Sequence, residues 1–131
     1  MSFRFHHIGV VTAHLEKSCE FYKSLGYESS TKYLDPLQMV DIIFMKRADA
    51  PMVELIRPTN PKSPAQAWLE RVKAGPYHLC YEVENLDETI DTFRKSGLTV
   101  ASKPTPAVAF DGRLVSFLWS LSSGLIELLQ M

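Results

Sequence analysis

The chain has 131 residues, of which 46% are hydrophobic and 22% charged, and its formal net charge is -1. This size and balance are typical of one ordered globular domain, so we predict a single domain over residues 1–131. Because Lys and Arg are scattered along the chain, no basic surface for nucleic acid is expected.

Two further features indicate a reduced, cytoplasmic protein. No segment approaches the ~20 consecutive apolar residues that cross a bilayer, so we expect neither a membrane anchor nor an export signal. The two cysteines, Cys19 and Cys80, belong to no CxxC pair, which favours free thiols over a disulfide framework.

The first half of the chain predicts a strand, a helix and three more strands. Residues 5–11 are short, apolar and rich in β-branched types, which is typical of a strand. From Leu15 to Leu25 apolar residues recur every three or four positions, which predicts an amphipathic helix closed by Gly26. Further strands are then expected, separated by Asp- and Pro-containing turns, over 27–33, 39–45 and 52–56.

The second half predicts the same order of elements. A proline-broken connector and a short helix over 65–73 lead into it. The expected elements are a strand over 77–83, a helix over 86–96, and strands over 98–102, 113–119 and 125–129. The sequence therefore predicts an α+β fold of two βαβββ modules in tandem, about 1–58 and 75–131, with a linker of about 59–74.

The two halves also match residue by residue. His7 aligns with His78, 71 positions later, and Glu54 aligns with Glu127, 73 positions later. Each module thus opens with a histidine and closes with a glutamate. If a pseudo-twofold axis relates the modules, these four positions would meet in one cleft.

Two histidines and two carboxylates in one cleft suit a first-row divalent ion and leave coordination positions for water or a chelating substrate. Glu54 and Glu127 lie between apolar neighbours in strands that look buried, where an unpaired carboxylate is costly. We therefore predict one divalent ion per chain, cobalt, nickel, manganese or zinc. The predicted ligands are His7, Glu54, His78 and Glu127.

Five other conspicuous residues receive structural interpretations. His6 should point to the opposite face of its strand from His7 and serve the fold. His14, near a helix start, is expected on the solvated surface. Trp68 and Trp119 could line a pocket, although packing is the favoured role. Cys80 has no activating neighbour in the sequence and is interpreted as a packing residue.

Several motifs match a known family. They are His-Ile-Gly-Val at 7–10, Phe-Tyr-x-x-Leu-Gly at 21–26, Val-Glu-Leu-Ile-x-Pro at 53–58, Tyr-His-Leu-x-Tyr-Glu-Val at 77–83 and Gly-Leu-Ile-Glu-Leu at 124–128. Along nearly its whole length the chain resembles the glyoxalase, bleomycin resistance and extradiol dioxygenase superfamily, the vicinal oxygen chelate proteins. Within it, the chain looks most like the methylmalonyl-CoA epimerases.

The resemblance implies a metal-dependent isomerase with the same four ligands. It also implies a second acid at Asp41, in a strand that carries Glu in the epimerases. The implied chemistry is removal of a proton beside a carbonyl, with Glu127 and Asp41 carrying protons on opposite faces of an acyl-CoA substrate. A homodimer is expected, and whether the modules pair within one chain or across a swapped dimer stays open.

Two departures from the epimerases leave other functions open. Trp119 to Ser123 replaces a His-Pro-Lys-Ser type segment, and the Gly-rich approach is reduced to Asp111-Gly112-Arg113. One alternative is a glyoxalase I type lyase acting on a glutathione adduct, for which Arg57 and Asn60 are candidate cation and amide. Another is a small-molecule binding or resistance protein. An extradiol dioxygenase is disfavoured because its iron site uses a single carboxylate.

Overall fold

The computed structural model describes residues 2–131, which form nine strands, three helices and a short 3-10 turn at Val108–Phe110. The strands are β1 (Phe3–Val11), β2 (Glu28–Ser29), β3 (Tyr33–Asp35), β4 (Val40–Lys46), β5 (Val53–Pro58), β6 (Gly75–Val83), β7 (Thr99–Pro106), β8 (Leu114–Ser120) and β9 (Gly124–Gln130). The helices are α1 (Leu15–Ser24), α2 (Pro64–Val72) and α3 (Leu86–Lys95). None of the helices over 2–131 is long and apolar enough to cross a membrane. The structure confirms the predicted α+β class, and the strands pair mostly antiparallel.

The chain divides into two compact units. The first unit is His7–Tyr77, and the second is His78–Met131 together with the residues up to His6. The sequence repeat predicted that the first module ends near residue 58 and the second begins near residue 75. The structure instead groups α2 with the first unit and the beginning of β1 with the second, because packing rather than sequence similarity decides the grouping.

In the first unit the strands lie in the order β2-β4-β5-β1, with β3 also paired to β4. β1 and β5 run parallel, whereas β4 is antiparallel to β5, β2 and β3. Helix α1 covers one face of these strands. The residues of that buried core are Val10, Leu15, Cys19, Ile43, Met45, Val53 and Leu55.

In the second unit the strands lie in the order β6-β9-β8-β7. β6 and β9 run parallel, and the other pairs are antiparallel. Helix α3 covers one face of these strands through Val83, Leu86, Ile90, Leu118 and Leu128. In both units the strand before the helix therefore pairs in parallel with the last strand of the unit. The pseudo-twofold relation of the modules stays a prediction.

Two predicted strands have different limits in the structure. The strand expected over 27–33 divides into β2 and β3, because Ser30 bonds to β4 with its own hydroxyl. Its Oγ accepts from the Phe44 N–H at 2.9 Å, while its N–H donates to the Phe44 carbonyl at 2.8 Å. β7 extends to Pro106 instead of ending at 102, with two register shifts along its pairing with β8.

Polar side chains cap the N-termini of α2 and α3. The Asn85 side chain accepts a hydrogen bond from the Glu88 N–H at 3.0 Å, so it satisfies one free donor at the start of α3. Ser63 caps α2, whose first residue is Pro64.

Candidate metal site

In the first unit, His7 and Glu54 form a buried pair. Gly9 of β1 stands opposite Glu54 of β5, so period-two alternation places the His7 side chain on the same face as Glu54. The His7 Nε2 atom lies 3.2 Å from Glu54 Oε1. The two residues are 0% and 3% exposed. The first predicted histidine and the first predicted glutamate are therefore neighbours in the fold.

In the second unit, His78 and Glu127 form the equivalent pair. Cys80 of β6 stands opposite Glu127 of β9, so His78, two residues earlier, shares the face of Glu127. The His78 Nε2 atom lies 3.2 Å from Glu127 Oε1, and each residue is 3% exposed. The repeat seen in the sequence is thus repeated as a contact within each unit.

An aromatic ring lies beside each pair. Phe44 stands opposite Glu54 on β4 and contacts the His7 ring edge to face, with 6.3 Å between centroids. Phe117 stands opposite Glu127 on β8 and contacts the His78 ring in the same way at 5.1 Å. Neither ring was predicted from the sequence. Their spacing, from 44 to 117, equals the spacing of the two glutamates and could have revealed them.

The chemistry of the donors fits a divalent ion. Burial of a carboxylate beside an aromatic ring is unfavourable unless a positive charge or hydrogen-bond donors compensate. Each unit supplies one imidazole nitrogen and one carboxylate oxygen, the donor types that first-row divalent ions accept from proteins. We call these two pairs, His7 with Glu54 and His78 with Glu127, the half-sites.

Asp41 does not lie with the half-site of its own unit, and its expected role as a second acid stays a prediction. It stands opposite Arg57, and the Asp41 Oδ2 atom accepts from Arg57 Nη2 at 2.5 Å. Arg57 also contacts Glu16 of α1 at 3.3 Å. Asp41 therefore belongs to the face that α1 covers, whereas Glu54 lies on the other face of the strands.

The same ion pairs change the interpretation of Arg57. Its guanidinium already contacts two protein carboxylates, and the pKa of Glu16 is lowered by hydrogen bonding to backbone and by the charge of Arg57. Asn60 accepts from the Lys62 N–H at 2.8 Å and so serves a turn. The Arg57 cation is therefore already paired with protein carboxylates and is not left free for the carboxylates of glutathione.

Glu82 is a further buried carboxylate, and it was not anticipated. It lies on the His78 face of β6 and is 8% exposed. Arg4 Nε donates to it at 3.0 Å and Arg113 Nη2 at 2.5 Å. Burial raises the pKa of Glu82, but the hydrogen bonds from Arg113 and Arg4 outweigh that effect and leave the pKa below its ordinary value. Arg113, in the segment that departs from the epimerases, thus has a structural partner.

The residues that received structural interpretations lie as follows. His6 is half-buried, with its ring edge to face on Phe110 at 5.2 Å. His14 is exposed and precedes α1. Trp68 packs against Tyr77 at 6.1 Å.

Trp119 and Cys80 both lie on the half-site face of the second unit. Trp119 stands opposite Leu125 on β9, two residues from Glu127, and is half-buried. Cys80 stands opposite Glu127 itself and is fully buried. Trp119 therefore shares a face with His78 and Glu127.

Comparisons with known proteins agree with this architecture. Residues 6–117 match the family described as the Glyoxalase/Bleomycin resistance protein/Dioxygenase superfamily. An ethylmalonyl-CoA/methylmalonyl-CoA epimerase of Cereibacter sphaeroides is 30% identical over 117 residues, which are 88% of this chain and 87% of the relative. The mitochondrial methylmalonyl-CoA epimerase of Homo sapiens is 30% identical over 97% of this chain and 73% of its own length.

A solved structure shares the fold. The methylmalonyl-CoA epimerase of Mycobacterium tuberculosis superposes with a TM-score of 0.84 at 20% identity, over 97% of this chain and 87% of that protein.

Proposed function

We propose that this chain, which belongs to the Glyoxalase/Bleomycin resistance protein/Dioxygenase superfamily, is an epimerase that removes and returns a proton at the carbon beside a carbonyl. The observation that carries the proposal is the buried His–Glu pair in each unit, His7 with Glu54 and His78 with Glu127. The relatives at 30% identity, matched over 88% and 97% of the chain, support an acyl-CoA substrate. Methylmalonyl-CoA is the best named candidate.

We propose further that the two half-sites together hold one divalent ion: cobalt, nickel, manganese or zinc. The support is the donor set, because two imidazole nitrogens and two carboxylate oxygens are buried among apolar side chains. When bound, such an ion supplies Lewis-acid stabilisation of the negative charge that develops on the carbonyl oxygen as the proton leaves.

The protein's own contribution is to place carboxylates for proton transfer. We assign Glu127 as the principal proton carrier, since its carboxylate is buried beside Phe117 and held against His78 Nε2. Glu54 is the matching carboxylate of the first unit and takes the second proton position in this proposal. Asp41 is left out because it lies on the α1 face with Arg57.

The lyase alternative has no specific support. Its glutathione substrate needs groups that bind carboxylates, and Arg57 is engaged by Asp41 and Glu16. The binding-protein alternative leaves two buried His–Glu pairs without a role. A homodimer and a cytoplasmic location stay predictions.

Incorporation of deuterium from the solvent into the substrate tests the proposed epimerase activity. Purified protein is stripped with chelator, reloaded separately with each of the four ions, and incubated with one stereoisomer of methylmalonyl-CoA in deuterated water. Mass spectrometry should show one deuterium entering at the α-carbon, and chiral analysis should show conversion to the other stereoisomer.

Two controls make the test specific. The stripped protein should show a much lower rate of deuterium entry, and Glu127→Gln should lower the rate of the reloaded protein by at least about 100-fold, the usual scale for losing a positioned general base. If the reloaded protein exchanges no deuterium but converts the adduct of methylglyoxal and glutathione, it is a lyase and the epimerase proposal is wrong.

A further inference from the structure

Tyr33 lies on the half-site face of the first unit, at the outer end of a row of aromatic rings. Strand register establishes the face. Tyr33 of β3 stands opposite Ile42 of β4, and Ile42 stands opposite Ile56 of β5, two residues from Glu54. Residues that stand opposite one another share a face of a sheet, so the Tyr33 side chain emerges on the same side as Glu54.

Ring contacts show the direction in which Tyr33 leans. Its ring contacts Phe44 edge to face, with 5.8 Å between centroids. Phe44 in turn contacts the His7 ring at 6.3 Å and stands opposite Glu54. The phenol therefore leans along the row towards the half-site and forms one wall beside it with Phe44.

Within residues 2–131, the Tyr33 hydroxyl has no hydrogen-bond partner in the protein. The ring contact with Phe44 is the interaction that this side chain makes there. The residue is nevertheless half-buried. Tyrosine hydroxyls that become buried usually find a hydrogen-bond partner, so a substrate that covers Tyr33 would have to supply one. β3 is two strand spacings from β5, about 10 Å, and a small acyl group bound beside Glu54 would occupy part of that gap.

We propose that the Tyr33 hydroxyl donates a hydrogen bond to an oxygen of the substrate's acyl group and so selects substrates with an oxygen at that place. The inference rests on the proposed function, because it takes the His7–Glu54 face as the substrate face. Tyr33 is a specificity residue in this account, and the carboxylates still move the proton.

Tyr33→Phe removes only the oxygen, and Tyr27→Phe is the matched control. Tyr27 is also half-buried, but it packs against Tyr22 on the α1 face. Binding of malonyl-CoA to the cobalt-loaded protein is measured by calorimetry, so the readout is independent of turnover. We expect Tyr33→Phe to weaken binding by about two- to tenfold, the range for one net hydrogen bond, while its melting temperature stays within about 1 °C.

A second readout separates the two proposals. In the methylmalonyl-CoA exchange assay, kcat/KM of Tyr33→Phe should fall by a similar factor, with most of the change in KM. If Tyr33→Phe binds and reacts like the parent, or if Tyr27→Phe loses as much, the role of Tyr33 is wrong while the epimerase proposal stands. If the parent protein itself neither binds malonyl-CoA nor exchanges deuterium, the proposed function fails and this inference fails with it.

Discussion

Replacing Asp41 by Asn distinguishes the role implied by family resemblance from the role implied by the structure. The resemblance makes Asp41 a proton carrier, whereas the structure engages it with Arg57 on the α1 face. If the structure is the better guide, Asp41→Asn should cost stability and leave catalysis intact. One role predicts a loss of stability and the other a loss of catalytic activity, so this single variant decides between them.

The expected loss of stability follows from the contact. The Asp41 and Arg57 side chains are 12% and 28% exposed, and their closest atoms are 2.5 Å apart. The contribution of such a pair to the free energy of unfolding should lie between two limits. A solvated ion pair contributes up to about 1 kcal/mol, and a hydrogen bond to a buried charged group contributes about 1.5–3 kcal/mol. Asparagine keeps an oxygen that can accept from Arg57, so we expect a loss of about 1 kcal/mol, or about 3–5 °C in melting temperature.

Urea unfolding and the deuterium exchange assay measure the two quantities on the same preparation. We expect kcat/KM of Asp41→Asn to stay within about twofold of the parent value, and Arg57→Gln to lower stability by a similar amount. The double variant should lose less stability than the sum of the two single losses, because the two substitutions remove the same interaction. A fall in kcat/KM of about 100-fold with unchanged stability would refute this reasoning and restore Asp41 as a proton carrier.

Two further predictions follow from other contacts. In the folded protein the pKa of Glu82 is depressed below its ordinary value of 4.5. The ionised Glu82 side chain therefore contributes to stability above pH 4.5, and this contribution is lost as the pH falls through the lower pKa of the folded state. Urea unfolding should therefore find Glu82→Gln less stable than the parent at pH 7, with the difference shrinking below about pH 4.5. Separately, cobalt at about 100 times its Kd should stabilise the parent by about 2.7 kcal/mol. His78→Ala should abolish this stabilisation and His6→Ala should keep it, and equal losses in both would mean that the wrong face of β1 was chosen.

The half-sites could be predicted because local pattern and repeat agree. His7 and His78 open their modules, Glu54 and Glu127 lie between apolar neighbours, and alternation along a strand then fixes the face. The two contacts of 3.2 Å within the units match that expectation. Whether all four side chains serve one ion stays a prediction.

The face of Asp41 could not be predicted from its strand. It is followed by four apolar residues, 42–45, all of which are buried, so the run shows no alternation between a buried and an exposed face. Only the pairing of Asp41 with Arg57, and of Arg57 with Glu16 on α1, identifies the face. Tyr33 was missed for a related reason, since its strand has three residues and its register depends on β4.

Glu82 shows a second limit of the sequence. Its partners Arg4 and Arg113 are 78 and 31 residues away along the chain, and neither lies at a repeat-related position. Such contacts arise from strand pairing across long separations, which a single sequence does not encode locally. The division of the strand over 27–33 has the same origin, because the hydroxyl of Ser30 finds its partner on β4.

Cobalt stoichiometry tests most directly whether the two half-sites serve one ion. Chelator-stripped parent, Glu54→Gln and Glu127→Gln are each titrated with cobalt, and bound metal is measured by elemental analysis after desalting. If one ion uses ligands from both units, the parent should bind about one cobalt per chain, and each variant should lose most of its affinity, since each lacks one of four ligands. Two ions per parent chain, or one ion retained at parental affinity in either variant, would contradict the account.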